Sequence, residues 1–189
     1  MKVSVFRFLL VAVIIAMTAS TATARGNGFS IGVTPIFSVG KTDDRGNKPE
    51  FWSIGATGGY TLNFGKFFFL NPEASLYVEN INRGFGGIPG TTGDAKSGTN
   101  FGGSLAASLG VNFGAGIEAF TGPWASCNFS QTGPSHYERD YRRASAYWRI
   151  GLGYTLWRFT LRASFNIRMT ERTNVTRANT VGLGLYYNF

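Results

Sequence analysis

The residues best equipped for chemistry cluster in one polar stretch. His136 is the only histidine of the chain, and it lies within Ser135-His136-Tyr137-Glu138-Arg139-Asp140. A histidine beside a hydroxyl and carboxylates can act as a general base, with an acid to orient it. Asp43 and Asp44 form a second acidic group in another polar stretch. They could meet His136 and Asp140 if the fold gathered both stretches at one mouth. The spacing speaks against this use, because Ser135 precedes His136 directly. Polar side chains of these types in a loop are ordinarily just solvated, so the expectation is no catalysis. One histidine and one cysteine, Cys127, without a carboxylate cluster at ligand spacing, provide no metal site. The Gly-rich stretch 84–103 lacks the Lys-Ser/Thr ending of a phosphate loop. No cofactor is expected.

A second set of charged residues is spaced differently. Glu73, Glu79 and Glu118 come early; Arg143, Arg149, Arg162 and Arg168 come late. Each lies in a run where polar and apolar residues alternate, which is the period of a β-strand. Val181, Leu183, Leu185, Tyr187 and Phe189 alternate with Thr180, Gly182, Gly184, Tyr186 and Asn188. Phe159 to Thr170 and Arg143 to Tyr154 behave alike. So do the runs near 29–39, 52–64, 70–79 and 100–113. A fifth run, near 117–128, is blurred by Gly122-Pro123. Pro35 and Pro123 cannot donate to a ladder, so a bulge or a shortened strand is expected at each. Eight strands result. Brief turns near Gly65-Lys66, Gly114-Ala115-Gly116 and Thr155-Leu156-Trp157 alternate with long polar connections at 41–50, 80–99, 129–140 and 171–177. An even strand count with short turns at one end and long loops at the other describes an all-β, eight-stranded antiparallel up-and-down transmembrane barrel.

Alternation alone does not say which face is outside. A soluble periplasmic binding barrel of the lipocalin kind would line its interior with the apolar set. Three features favour the membrane. Aromatic residues sit at the ends of the apolar faces: Trp52 and Phe64, Phe101 and Phe113, Tyr154, and Phe159. That is the girdle of two membrane interfaces. The acids come from early strands and the bases from late ones, and closure would bring them together across the lumen. The chain also ends on an aromatic, Phe189.

The chain begins with Lys2, Arg7, an apolar run from Phe8 to Met17, and Ala22-x-Ala24. This reads as a cleaved signal peptide over 1–24, leaving a barrel domain over 25–189. The whole chain has a net charge of +8; loss of Lys2 and Arg7 leaves +6 (8 − 2). Those charges are scattered through an exported chain, so no nucleic-acid partner is expected.

The terminal run Val181-x-Leu183-x-Leu185-x-Tyr187-x-Phe189 resembles the last strand of bacterial outer-membrane barrels. With the leader and eight strands, the mature chain resembles the small outer-membrane barrel superfamily, which has OmpX-like and OmpA-barrel-like members. The resemblance implies that Tyr187 and Phe189 are part of the signal read by the barrel-assembly machinery. Eight strands enclose just enough room for side chains, so Glu73, Glu79, Glu118, Arg143, Arg149, Arg162 and Arg168 are expected to fill the lumen as ion pairs. Both termini are expected in the periplasm, in the outer membrane of a didermic bacterium. Arginines suit bidentate phosphate contacts, and Arg142, Arg172 and Arg177 are candidates for contacts with lipopolysaccharide. The expected role is structural or surface-interactive. The alternatives are a lipid- or small-ligand-handling barrel, with a hydrolase as one form of it, and the soluble binding barrel.

Overall fold

A computed structural model describes residues 26–39, 50–82, 98–132, 144–169 and 179–189. The described residues form eight strands: β1 (Gly28–Val39), β2 (Glu50–Phe64), β3 (Phe68–Asn82), β4 (Gly98–Gly114), β5 (Ile117–Thr132), β6 (Ala144–Leu156), β7 (Phe159–Arg168) and β8 (Asn179–Asn188). Each pairs antiparallel with its neighbours in sequence, and β1 pairs with β8 to close the barrel. Closure leaves no sheet edge unpaired along the shared height of the wall, which a bilayer demands of any spanning sheet.

The turns at one end are tight. β4 passes to β5 through Ala115 and Gly116 at φ 48° and 80°. Two successive positive values match the primed turns that suit strand twist. The β6–β7 turn lies at Trp157-Arg158, further along than the sequence suggested, with Trp157 at φ 55°. The other connections run through 40–49, 83–97, 133–143 and 170–178, outside the described residues.

The prolines correct one expectation. Pairing of β1 with β8 skips Thr34 and Pro35 but keeps the same register on both sides, Val33 with Leu185 and Ile36 with Gly182. Pro123 pairs in register with Trp148, and β4–β5 pairing skips it without a shift. Neither proline makes a bulge or shortens its strand. A proline lacks one donor, so it interrupts the ladder on one side only, and the pairs above and below hold the register. The alternation of β5 likewise continues through Gly122-Pro123. Its irregularities lie elsewhere: Phe101 pairs with Ser130 while Gly102 pairs with Asn128, which leaves Phe129 as the extra residue.

The rim is uneven at the loop end. β5 runs on through residues 128–132 after its last pair with β6, Cys127 with Ala144. Five residues add ~17 Å along the strand. β7 and β8 have only 10 residues each.

Candidate functional site

The wall sorts its side chains by parity. On β4, Asn100, Ser104 and Ser108 are buried in the lumen, whereas Phe101, Leu105 and Leu109 are exposed outside. On β7, Thr160, Arg162 and Asn166 are buried, and Phe159, Leu161 and Phe165 are exposed. Among the described residues, no outward position between the strand ends carries a charge. Ile31, Ile54, Leu105, Leu109, Leu152 and Leu185 belong to the apolar band. Trp52, Phe101 and Phe129 flank it at one end; Phe29, Phe64, Phe113, Tyr154 and Phe159 flank it at the other. In water this surface would cost the hydrophobic free energy of a whole core. In lipid it is the favourable face, and the soluble binding barrel is thereby corrected. The molecule is an eight-stranded transmembrane β-barrel of the outer-membrane type.

No family model matches the chain, and no curated protein matches it. Among solved structures it is similar to the outer-membrane protein Ail of Yersinia pestis in a phospholipid nanodisc. The TM-score is 0.48 at 16% identity, covering 87% of this chain and all (100%) of that one. A crystal structure of the same attachment invasion locus protein gives a TM-score of 0.44 at 16% identity, over 88% of this chain and 100% of the other. A de novo designed transmembrane β-barrel gives 0.41 at 8% identity, over 88% and 100%. The fold of this chain rests on its own closed ladder.

Inside the barrel, residues from four strands meet. Arg149 on β6 donates from Nη1 to Glu73 Oε2 on β3 at 2.6 Å. Arg162 on β7 donates from Nη1 to Glu73 Oε1 at 2.6 Å and from Nε to Glu118 Oε1 on β5 at 2.5 Å. Glu73 thus holds both arginines, one per carboxylate oxygen. Asn71 Nδ2 also donates to Glu73 Oε1 at 2.7 Å, and Thr61 donates in turn to Asn71. Two acids and two bases leave this cluster neutral. That balance is what lets full charges survive in a confined space.

Aromatic rings complete the packing. The Arg162 guanidinium lies 5.0 Å from the centroid of Phe120, 5.5 Å from Tyr186 and 5.8 Å from Phe69. Its Nη2 reaches no hydrogen-bond acceptor among the described residues, and the negative ring faces supply attraction instead. Each large ring needs a gap in a neighbouring strand. A Cβ added at Gly110 would stand 2.1 Å from Phe69 Cζ, and one at Gly151 would stand 2.3 Å from Phe120 Cζ. The lumen glycines are therefore the space in which the rings lie.

Towards the loop end, Ile36, Trp124 and Tyr147 form an apolar layer, with Arg149 5.8 Å from the Trp124 centroid. Above it the lumen turns polar. Tyr77 donates to Asn128 at 2.7 Å, and Asn100 donates to Glu79 Oε1 at 3.1 Å.

The structure therefore gathers Glu73, Glu118, Arg149 and Arg162 into one cluster. Glu79 sits apart with Asn100. Arg168 lies at the end of β7, where its backbone N–H donates to Asn179 Oδ1 at 3.0 Å. Arg143, Arg142, Arg172 and Arg177 lie outside the described residues, as do Asp43, Asp44, Ser135, His136, Glu138 and Asp140. Sequence reasoning overlooked the rings of Phe69 and Trp124 as lumen residues. Their apolar character hid them, although their parity with Glu73 and Glu118 would have placed them inside; Tyr186 already shares the face of Thr180 in the alternation.

The other end closes around the last strand. Arg158 donates from Nη1 to the Tyr187 hydroxyl at 2.9 Å, which holds the guanidinium above its ordinary pKa. Tyr187 packs edge-on against Phe159 and Phe189, at 5.5 and 5.1 Å between centroids. The Phe189 backbone N–H donates to the Phe29 carbonyl at 3.0 Å, tying the last residue to the first strand. Cys127 is exposed on the outer wall.

Proposed function

We propose that the chain is an integral outer-membrane protein whose work is structural and surface-interactive, without catalysis. It is exported by a leader over residues 1–24, and the barrel-assembly machinery reads Tyr187 and Phe189. Its termini face the periplasm, and the segments 40–49, 83–97, 133–143 and 170–178 face the outside. The observation that carries this reading is the interior: the Glu73, Glu118, Arg149 and Arg162 cluster and its rings occupy the bore. A barrel without a passage must act through its rim or its wall. The long β2–β5 side of the rim supports the same conclusion, because β4 and β5 stay paired as far as Thr99 and Thr132, beyond the start of β6 at Ala144. Arg142, Arg172 and Arg177 are assigned to phosphates of lipopolysaccharide.

Two measurements test this. In planar bilayers the purified protein is expected to show no steady conductance, and a large stable channel would overturn the filled lumen. A peptide epitope inserted at 83–97 is expected to bind antibody on intact cells. Labelling only after the outer membrane is breached would reverse the orientation.

A further inference from the structure

We propose that the β6–β7 turn binds the phosphate of an anionic phospholipid of the inner leaflet, with the Arg158 guanidinium as donor and Trp157 as the ring that sits among the headgroups. The inference rests on the periplasmic placement of the turns proposed above, and it gives that end of the barrel a lipid partner of its own.

The backbone of the turn asks for a different residue. Leu156 pairs with Phe159, so Trp157 and Arg158 are the whole loop of this hairpin. Trp157 has φ 55°, while Arg158 is not among the residues at positive φ. A two-residue hairpin with a positive φ at its first position prefers glycine there, because a Cβ crowds the carbonyl that follows. A tryptophan stands in that place instead, and it is 92% exposed. Packing within the described barrel therefore does not offset the strain. A strained residue that the fold does not need points to a role outside the fold. An exposed indole is stabilised at a membrane–water interface, where the ring lies at headgroup level and the Nε1–H finds an acceptor.

Arg158 is held in place beside it. The Asn188 backbone N–H donates to the Arg158 carbonyl at 2.6 Å, and Asn188 Nδ2 donates to the same oxygen at 3.0 Å. The side chain turns onto the wall: Nη1 donates to the Tyr187 hydroxyl at 2.9 Å, with Cζ 6.0 Å from the ring centroid. Tyr187 in turn packs on Phe159 and Phe189. A guanidinium carries five N–H donors, and this contact uses one. The rest of the fork suits a phosphate. An arginine for a soluble anion would reach away from the barrel. This one lies against the aromatic rings that end the apolar band, which is the depth of phospholipid headgroups.

Charge selects the lipid. Among the described residues Arg158 has no ion-pair partner. Glu118 is buried in the lumen and joined to Arg162. The Phe189 main-chain oxygen stands by Gly28, on the β1 side of β8, whereas Arg158 stands on the β7 side. The ammonium of phosphatidylethanolamine thus has no acid to meet beside Arg158, and phosphatidylglycerol brings the same phosphate without it. Lys66, in the β2–β3 turn, is also exposed among rings. No hydrogen bond among the described residues orients its side chain, so it forms no comparable fork.

The test uses the whole barrel in nanodiscs of phosphatidylethanolamine and phosphatidylglycerol in equal amounts. Lipid retained through detergent exchange is counted by native mass spectrometry. The wild type is expected to retain phosphatidylglycerol over phosphatidylethanolamine. Arg158→Gln is expected to lower that retention roughly tenfold, a loss of ~1.4 kcal/mol. Arg158→Lys takes its place if the first variant does not fold, with a several-fold loss expected, because an ammonium lacks the fork. Tyr187→Phe keeps the ring and removes only the hydroxyl that holds the guanidinium, and a several-fold loss is expected. Trp157→Gly suits the backbone, so a turn that merely joins strands would keep its lipid; a several-fold loss is expected instead. Lys66→Gln is expected to change little. Equal retention of the two lipids overturns the proposal. Equal losses at Arg158 and Lys66 also overturn it, since a diffuse basic rim would then be at work. If the 83–97 epitope is outside and Arg158 has no effect, only this inference falls. If the epitope is inside, the orientation falls, and the inner leaflet with it.

Discussion

Ser108 and Leu109 are neighbours on β4, yet Ser108 is 1% exposed and Leu109 is 61% exposed. They face two different solvents. The lumen is crowded, polar and held by particular partners: Glu73 takes one arginine on each oxygen, and Phe69 lies where Gly110 has no side chain. The outer wall asks for little beyond apolar character. Its few polar atoms satisfy one another, as when Trp148 Nε1 donates to Thr121 Oγ1 at 2.8 Å and Thr121 donates to the Arg149 carbonyl at 2.9 Å. The difference teaches where sequence change is tolerated. Outside, any residue of the right polarity serves; inside, identity and position both count.

Breaking the lumen should have the largest effect. Arg162→Leu leaves Glu118 and one oxygen of Glu73 without their cation. A loss of ~3–5 kcal/mol is expected, read by urea unfolding in lipid vesicles. Pairing it with Glu118→Leu should restore part of the loss, and no restoration would mean that the cluster is not acting as a charge-balanced unit.

Crossing the wall comes next. Leu109→Arg places a charge in the lipid-facing band and is expected to cost ~2–4 kcal/mol, while Phe101→Arg, near the loop end, should cost about 0–1 kcal/mol. The same unfolding measurement ranks the two. Equal costs would mean that the bilayer does not sit across this band.

A smaller effect than a charge at the middle of the wall sharpens the packing claim. Gly110→Ala should cost ~1–3 kcal/mol by overpacking, and Phe69→Leu in the same chain should recover much of it. The temperature at which the SDS gel band shifts on heating reports this. An additive double variant would show that the ring does not lie in the glycine gap.

The strands, their number and the alternation of short and long connections were legible because a period of two survives in almost every run. The inward parity of Glu73, Glu118, Arg149 and Arg162 was legible for the same reason. The proline effects were not. The ladder holds register through pairs on both sides of each proline, and a single chain cannot display its neighbours. Part of the aromatic lining of the lumen escaped too, since Phe69 and Trp124 read as apolar wherever they stand.

Sequence by itself determined the alternation, the turn positions to within a residue or two, and the set of residues that could share a face. All of these are local, fixed by how a strand points successive side chains to opposite sides. Only the tertiary structure decided which face meets lipid, which acid holds which arginine, and that Arg158 of the β6–β7 turn reaches Tyr187 of β8. Those depend on register between strands distant in sequence. Closure sets that register for all eight strands at once.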